Sequence, residues 1–349
     1  MLVNVGKLMS HTSTKGGGGV KHPFNPSLVD AWFMSGLSNS DKPTQIVGVK
    51  KNKLQLKNFA YALNSGFGKY AVNWNGFAKT TANANFTNTD SSIHITEILV
   101  AAEKFLQTSA DETVAACKVK VEGITDDIKL RYVSYAEDGT GTYTYLKNGI
   151  NNLPISYKKY TGFAASAVGT CNITITQLPS AYEGALVFDG VDDYGICTGL
   201  PILDDYTVIC RREIISIKNS SAVASKRTYP DDVGNFGAFV FERVFANGRK
   251  STYSFGSSNG ISEFDSNEVV YQTKTSYNGT TITSGSDNDS DTLCLGANTY
   301  NITLERCQEF SNVAIYYFAL YNKSLTPEEV EEEKVKLENY WEGGKNELA

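Results

Sequence analysis

Ala185-Leu186-Val187-Phe188-Asp189-Gly190-Val191-Asp192-Asp193-Tyr194-Gly195 decides how the rest of the chain reads. Its first half is a short apolar run with β-branched and aromatic members, the composition of a strand on a buried pleated surface. The Asp189-Gly190 step then supplies the positive backbone dihedral that a tight corner demands. Asp192 and Asp193 beside it are ordinary turn formers, and their carboxylates are also the oxygen ligands that a calcium ion takes.

Downstream the same kind of run recurs at 206–210, 214–217, 238–243, 251–255, 268–272 and 292–295, separated by Gly, Asn, Asp and Ser. Short strands at that cadence predict an all-β double-sheet roll. Upstream, Trp32 and Phe33 in one run and Leu54, Leu56 and Phe59 in another supply its first strands, so the roll is expected over 24–78 plus 183–342. Residues 79–182 exceed what a compact roll requires. Apolar and polar residues alternate there at 117–121, 128–132, 142–145 and 172–176, between turn pairs such as Asp138-Gly139 and Asn148-Gly149. That pattern predicts a smaller inserted β-sandwich, with Leu178-Pro179-Ser180 as the return linker. Residues 93–105 fit an edge strand or a short helix equally. Thr326, Pro327 and Glu329 form the capping box of a final helix, with Val330, Leu337 and Trp341 on one stripe. Gly343-Gly344 should stop it, leaving 343–349 as a tail.

The Phe188–Tyr194 string resembles the FDGVDDY signature of laminin-G-like, concanavalin-A-type jelly rolls. Asn25-Pro26-Ser27-Leu28-Val29-Asp30-Ala31-Trp32-Phe33-Met34-Ser35-Gly36 looks like the opening strand of such a domain, and residues 313–321 followed by Ser324-Leu325-Thr326-Pro327-Glu328-Glu329 look like its closing strand and helix. Together with Leu54-Gln55-Leu56-Lys57-Asn58-Phe59-Ala60, the combination is similar to fibre and appendage proteins of bacteriophages. The resemblance implies a non-enzymatic structural protein of a virion, a head or tail fibre or decoration subunit assembled in the host cytoplasm. It would be homo-oligomeric, bound to other virion proteins, and able to hold host-surface or mucosal glycans. Residues 1–23 would be the attachment arm. Their Lys15-Gly16-Gly17-Gly18-Gly19-Val20-Lys21 run is too glycine-rich to hold one conformation unaided, and Val20 spoils a phosphate-loop reading.

Composition narrows the alternatives. A formal charge of −6 argues against a general nucleic-acid binder, which needs a Lys/Arg excess. Tyr 20, Phe 17 and Gly 30 suit pleated surfaces and turns. No apolar run reaches the ~18 residues of a bilayer span, so membrane insertion is not expected. The N-terminus lacks a signal-peptide core, Gly6-Lys7 and Ser10-His11 interrupting it. Six cysteines stand far apart without a Cys-x-x-Cys pair, which reads as buried thiols while leaving disulfides open.

Three constellations carry candidate chemistry. Glu263-Phe264-Asp265-Ser266-Asn267-Glu268 has the E-x-D-x-x-E spacing of laminarinase-like glycoside hydrolases, in which two carboxyl groups about 5–5.5 Å apart do retaining cleavage. Its Ser266-Asn267 step reads as a turn, so catalysis by Glu263, Asp265 and Glu268 is the alternative to an acidic hairpin tip. Tyr229, Phe236, Tyr253 and Tyr277 stand in Asn/Ser/Gly-rich surroundings and are the candidate sugar-stacking aromatics, against a core reading for each. No cofactor is expected beyond calcium, for which Asp192 and Asp193 are the candidate ligands. The three histidines give no nucleophile a base: His11 and His22 fall in the arm and His94 has no evident partner. A free-standing bacterial lectin module is the rival to the phage reading.

Overall fold

The computed structural model describes residues 23–157, 159–228, 236–286, 289–301 and 306–345. They divide into two compact units. The larger takes the chain up to Ala60, then Ser65–Phe67 and everything from Gly184 onward; the smaller takes Tyr61–Asn64 and Gly68–Glu183. The attachment run Lys15–Lys21 and Tyr229 lie outside the described residues.

The larger unit is the expected two-layer antiparallel roll, built from two eight-stranded sheets. One sheet runs Thr280–Thr281, Ser276–Tyr277, Val269–Thr273, Thr207–Ser216, Asn312–Tyr321, Ala181–Asp189, Gly66–Lys69, with Leu28–Phe33 also paired to Asn312–Tyr321. The other runs Gln45–Val47, Lys53–Lys57, Tyr194–Cys197, Leu293–Leu295, Ser221–Thr228, Phe236–Val244, Lys250–Ser254, Ser257–Gly260. Opening and closing strands meet directly, Trp32 opposite Phe318. Asn312–Tyr321 is buried from Val313 onward because it has strand neighbours on both edges and covers on both faces. On one face the cover is the helix Pro327–Lys345: Trp341 meets the Tyr316 ring edge-on at 5.3 Å, and Glu333 and Glu338 accept from the hydroxyls of Tyr321 and Tyr317. The helix starts with the expected capping box, Thr326 and Glu329 exchanging hydrogen bonds of 2.9 and 3.2 Å. Val330, Leu337 and Trp341 are all buried. It ends later than the glycine pair suggested, running on to Lys345, since Gly343 and Gly344 cost helix propensity without forbidding it.

The smaller unit is a sandwich of two five-stranded sheets. One runs Gly141–Tyr145, Leu130–Tyr135, Gly162–Ala165, Lys104–Gln107, Ala78–Lys79, and the other Gly149–Leu153, Cys117–Glu122, Gly169–Gln177, Ser92–Ile98, Ala84–Asn88. The ambiguous 93–105 region is two strands, Ser92–Ile98 and Lys104–Gln107, and no helix. The core includes Val72, Trp74 and Phe77 with Ile95, Phe105, Val119, Tyr132, Phe163 and Ile175. Residues 68–78, expected in the roll, belong instead to this unit: Trp74 and Phe77 are buried in its core, where Trp74 meets Phe163 edge-on at 5.6 Å.

Candidate functional site

The Asp189-Gly190 corner forms as expected. Ala181–Asp189 ends at Gly190, whose φ is +75°, and Tyr194–Cys197 follows in the opposite sheet. Inside the corner the carboxylates of Asp189, Asp192 and Asp193 offer oxygens within 4.8 Å of one another. Asp189 Oδ1 accepts from the Val191 amide at 2.7 Å, and Asp193, fully buried, accepts from the Asp189 amide at 3.1 Å. Burial, reinforced by the Asp189 and Asp192 charges and opposed by Ser65 and the Asp189 amide, pushes the Asp193 carboxyl up to about 7. Asp193 Oδ1 has no hydrogen-bond partner, so this buried carboxyl calls for either a proton or a cation. The donor set is all oxygen and suits calcium, although the Lys218 ammonium already sits on the Gly190 carbonyl.

The roll has an open cleft of about 420 Å³ between residues 212–217 and 263–268. Beyond Arg211 the strand Thr207–Ser216 loses Val269–Thr273 as a neighbour, and the segment from Glu263 to Glu268 lies along it instead, the Arg212 amide donating to the Glu268 carbonyl at 2.8 Å. That segment is held from beneath by one side chain. Arg212 donates to the carbonyls of Asn267 at 2.8 Å and Asp265 at 3.0 Å, while its other face grips the buried carboxylate of Glu242, which also accepts from Tyr277 Oη at 2.6 Å. Burial works against the Arg212 charge, but the Glu242 carboxylate outweighs it and the guanidinium pKa is raised. A charge this deeply buried persists only when fully paired, so the anchor is rigid.

The cleft collects all three carboxylates of the E-x-D-x-x-E run: Glu263, Asp265 and Glu268, joined by Glu213, Phe264 and Ser266. They do not form an opposed pair on one strand. The segment from Ile261 to Glu268 is irregular, and each flanking glutamate is neutralised, Glu263 by Lys250 and Glu268 by Arg211 at 2.6 Å. Arg211 is itself clasped by Glu338 at 2.7 Å and stacked on Trp341 at 4.2 Å. Asp265 Oδ1 accepts from the Asn267 amide, an Asx turn.

Of the aromatic residues expected to stack on sugar, the two whose side chains are described point into the fold. Tyr253 and Tyr277 are 8% and 5% exposed; the hydroxyl of the first accepts from Arg243, and that of the second donates to Glu242. Both are core residues whose polar tips are satisfied internally, the common fate of a strand tyrosine. Phe236 begins the strand Phe236–Val244. His94 pairs with Thr174 across two strands at 3.2 Å. The six cysteines are free, with Cys294 and Cys307 bringing their Sγ atoms to 2.8 Å. Among the described residues no helix is long and apolar enough to cross a membrane.

No family model and no curated protein matches the chain. Among solved structures it is similar to Trypanosoma rangeli sialidase in complex with 2,3-difluorosialic acid, at 8% identity and TM-score 0.30 over 82% of this chain and 67% of that one. It is also similar to the same sialidase with the inhibitor DANA, at 8% identity and TM-score 0.28 over 82% and 67% of the chains. A mutant of that sialidase with trans-sialidase activity gives 9% identity and TM-score 0.27 over 82% and 66%. These likenesses correct one expectation. The solved structures resembling this chain are sialidases, so the reading of it as a non-enzyme is withdrawn. At such TM-scores they transfer neither substrate nor residue roles.

Proposed function

We propose that this chain is a glycan-binding appendage subunit of a bacteriophage particle, and that the cleft between 212–217 and 263–268 is where its roll holds a saccharide. The observation that carries the binding reading is the cleft itself: about 420 Å³, open, with Glu213, Asp265 and Ser266 around Phe264 on a segment fixed by Arg212. Sugar hydroxyls donate in adjacent pairs, which carboxylates accept, and an aromatic ring takes the apolar face of a pyranose. The particle setting draws on the resemblance of residues 185–195, 25–36 and 313–327 to phage appendage proteins. In that setting the chain assembles as a homo-oligomer through its arm on other virion proteins, and repeated copies multiply weak single-site affinity. Calcium at Asp189, Asp192 and Asp193 would replace the proton on Asp193 and stiffen the corner, so millimolar calcium should raise the melting temperature of the wild type and not that of Asp193→Asn.

The test is a glycan array probed with the purified chain, followed by a sugar-release assay on any glycan that binds. Binding of neutral oligosaccharides that falls at least about tenfold in Phe264→Ala and Asp265→Asn supports the reading, such a loss being the scale of one stacking or charge-assisted contact. Binding unchanged in both variants would refute it. A hydrolytic reading draws on the same Glu263, Asp265 and Glu268; release of sugar abolished by Glu263→Gln or Glu268→Gln would replace simple binding with turnover.

A further inference from the structure

The smaller sandwich carries a second surface, and its chemistry differs from that of the cleft. Strand Gly141–Tyr145 is the edge of its sheet, and Tyr143 and Tyr145 project from the same face of it, 57% and 55% exposed. Two residues apart on a strand, they lie about 7 Å from each other along the sheet. The inner face of this sheet is spent on the core, with Leu130, Tyr132 and Phe163 buried there. Register places the outer-face residues side by side: Arg131 opposite Tyr145 and Ala164, Val133 opposite Tyr143, and Lys104 opposite Ala164.

That outer face is cationic as well as aromatic. The Arg131 guanidinium stacks on the Tyr143 ring at 4.4 Å and donates a hydrogen bond to the Ala102 carbonyl at 3.1 Å. Lys104 and Lys159 both lie over the Tyr135 ring, at 5.3 and 5.6 Å. Their ammonium groups donate to neutral oxygens, those of Tyr135, Tyr160 and Gly139. None of the three cations stands in a salt bridge among the described residues; Asp138, held by the Thr140 amide, is the acid whose charge Lys159 feels. Gly139 and Gly141 lie close against the cluster: a Cβ on the first would come to 2.8 Å from Lys159 Nζ, and one on the second to 3.2 Å from the Tyr135 ring.

We propose that this face binds a carboxylated sugar. A uronic or sialic acid residue sets an anion beside an apolar C–H face, and Arg131 on Tyr143 presents the matching pair, a cation beside an exposed ring. Lys104 and Lys159, which donate to neutral oxygens, add positive charge for the same anion, with Asp138 offsetting part of that on Lys159. The site is independent of the roll's cleft, whose carboxylates would repel such a ligand.

The test is calorimetry on the whole chain with trigalacturonic acid and 3′-sialyllactose as the two carboxylated probes and lactose as the neutral control. At least one carboxylated probe should bind, and which one does identifies the source of the acid sugar. Lactose should bind at least about tenfold more weakly, added salt should weaken the carboxylated probe, and the double variant Tyr143→Ala/Tyr145→Ala and the single variant Arg131→Gln should each cost about tenfold or more. Phe264→Ala in the roll should leave this binding unchanged, which separates failure here from failure of the cleft. The altered side chains are exposed or half-exposed, so folding should survive, and Arg131→Gln carries the test alone if the double variant does not fold. Equal binding of lactose, no binding of either acid probe, or wild-type affinity in the variants would overturn the proposal. So would sedimentation showing that the face is taken instead by a second copy of this chain, self-association that the double tyrosine variant abolishes.

Discussion

The two sandwiches bury different things. The smaller closes on an apolar core in which Trp74, Phe105, Phe163 and aliphatic side chains meet without a charge, and it leaves Arg131, Lys104 and Lys159 outside. The roll takes in Asp30, Asp193, Arg212, Lys226, Arg227, Glu242 and Glu333, each at most 3% exposed. Several of these charges hold a loop. Asp30 accepts from the amides of Lys50 and Asn52, Asp193 from that of Asp189, and Arg212 fixes the wall of the cleft. Buried ions are costly to leave unpaired, so the loops that satisfy them gain one geometry. The roll thus spends buried charge on shaping loops, while the smaller sandwich buries apolar side chains and neutral polar groups such as Gln177, Thr108 and Thr161 and keeps its charge outside.

The contrast breaks first at Glu242. Glu242→Ala strands Arg212 and removes the acceptor of Tyr277, and should cost about 3–5 kcal/mol in denaturant unfolding of the roll. Replacing both partners, Arg212→Met with Glu242→Leu, should cost clearly less, and equal losses would mean that the charge pair does not govern this site. In the smaller sandwich Ile175→Ala should cost about 3 kcal/mol through lost burial and the cavity left, with no dependence on pH.

Proton linkage sharpens the comparison at a smaller scale. The Asp193 pKa is raised in the folded state, from 3.8 to about 7, so its contribution is full below the unfolded value and fades as pH rises through the folded one. Between about pH 5 and pH 7 the roll should lose on the order of 2 kcal/mol that Asp193→Asn does not lose, read by melting across that range. Lys226, which burial lowers to about 8, acts in a separate window: its contribution is present above its unfolded value and lost as pH falls toward 8. The smallest effect is expected at the helix cap, where Thr326→Ala should cost about 1 kcal/mol by thermal denaturation.

Much of the fold was legible because it rests on local rules. Alternation located the strands of both sandwiches, Asp189-Gly190 gave the corner, and Thr326 with Glu329 gave the start of the helix. The boundary near residue 68 was not legible, since Val72, Trp74 and Phe77 would serve either core equally well. The E-x-D-x-x-E run was found, but its lining partners Glu213 and Arg212 come from a strand some fifty residues earlier (212 against 263) and share no local pattern with it. Alternation at 142–145 put Tyr143 and Tyr145 on one face without saying whether that face was inside. Aromaticity in a polar setting likewise misplaced Tyr253 and Tyr277, whose hydroxyls find Arg243 and Glu242 within the fold.

Hydrogen–deuterium exchange of the whole chain, with and without the neutral oligosaccharide that binds most tightly, tests the cleft most directly. The account predicts added protection at 212–217 and 263–268, lost in Phe264→Ala. Protection confined to other segments, or none at saturating sugar, would contradict it.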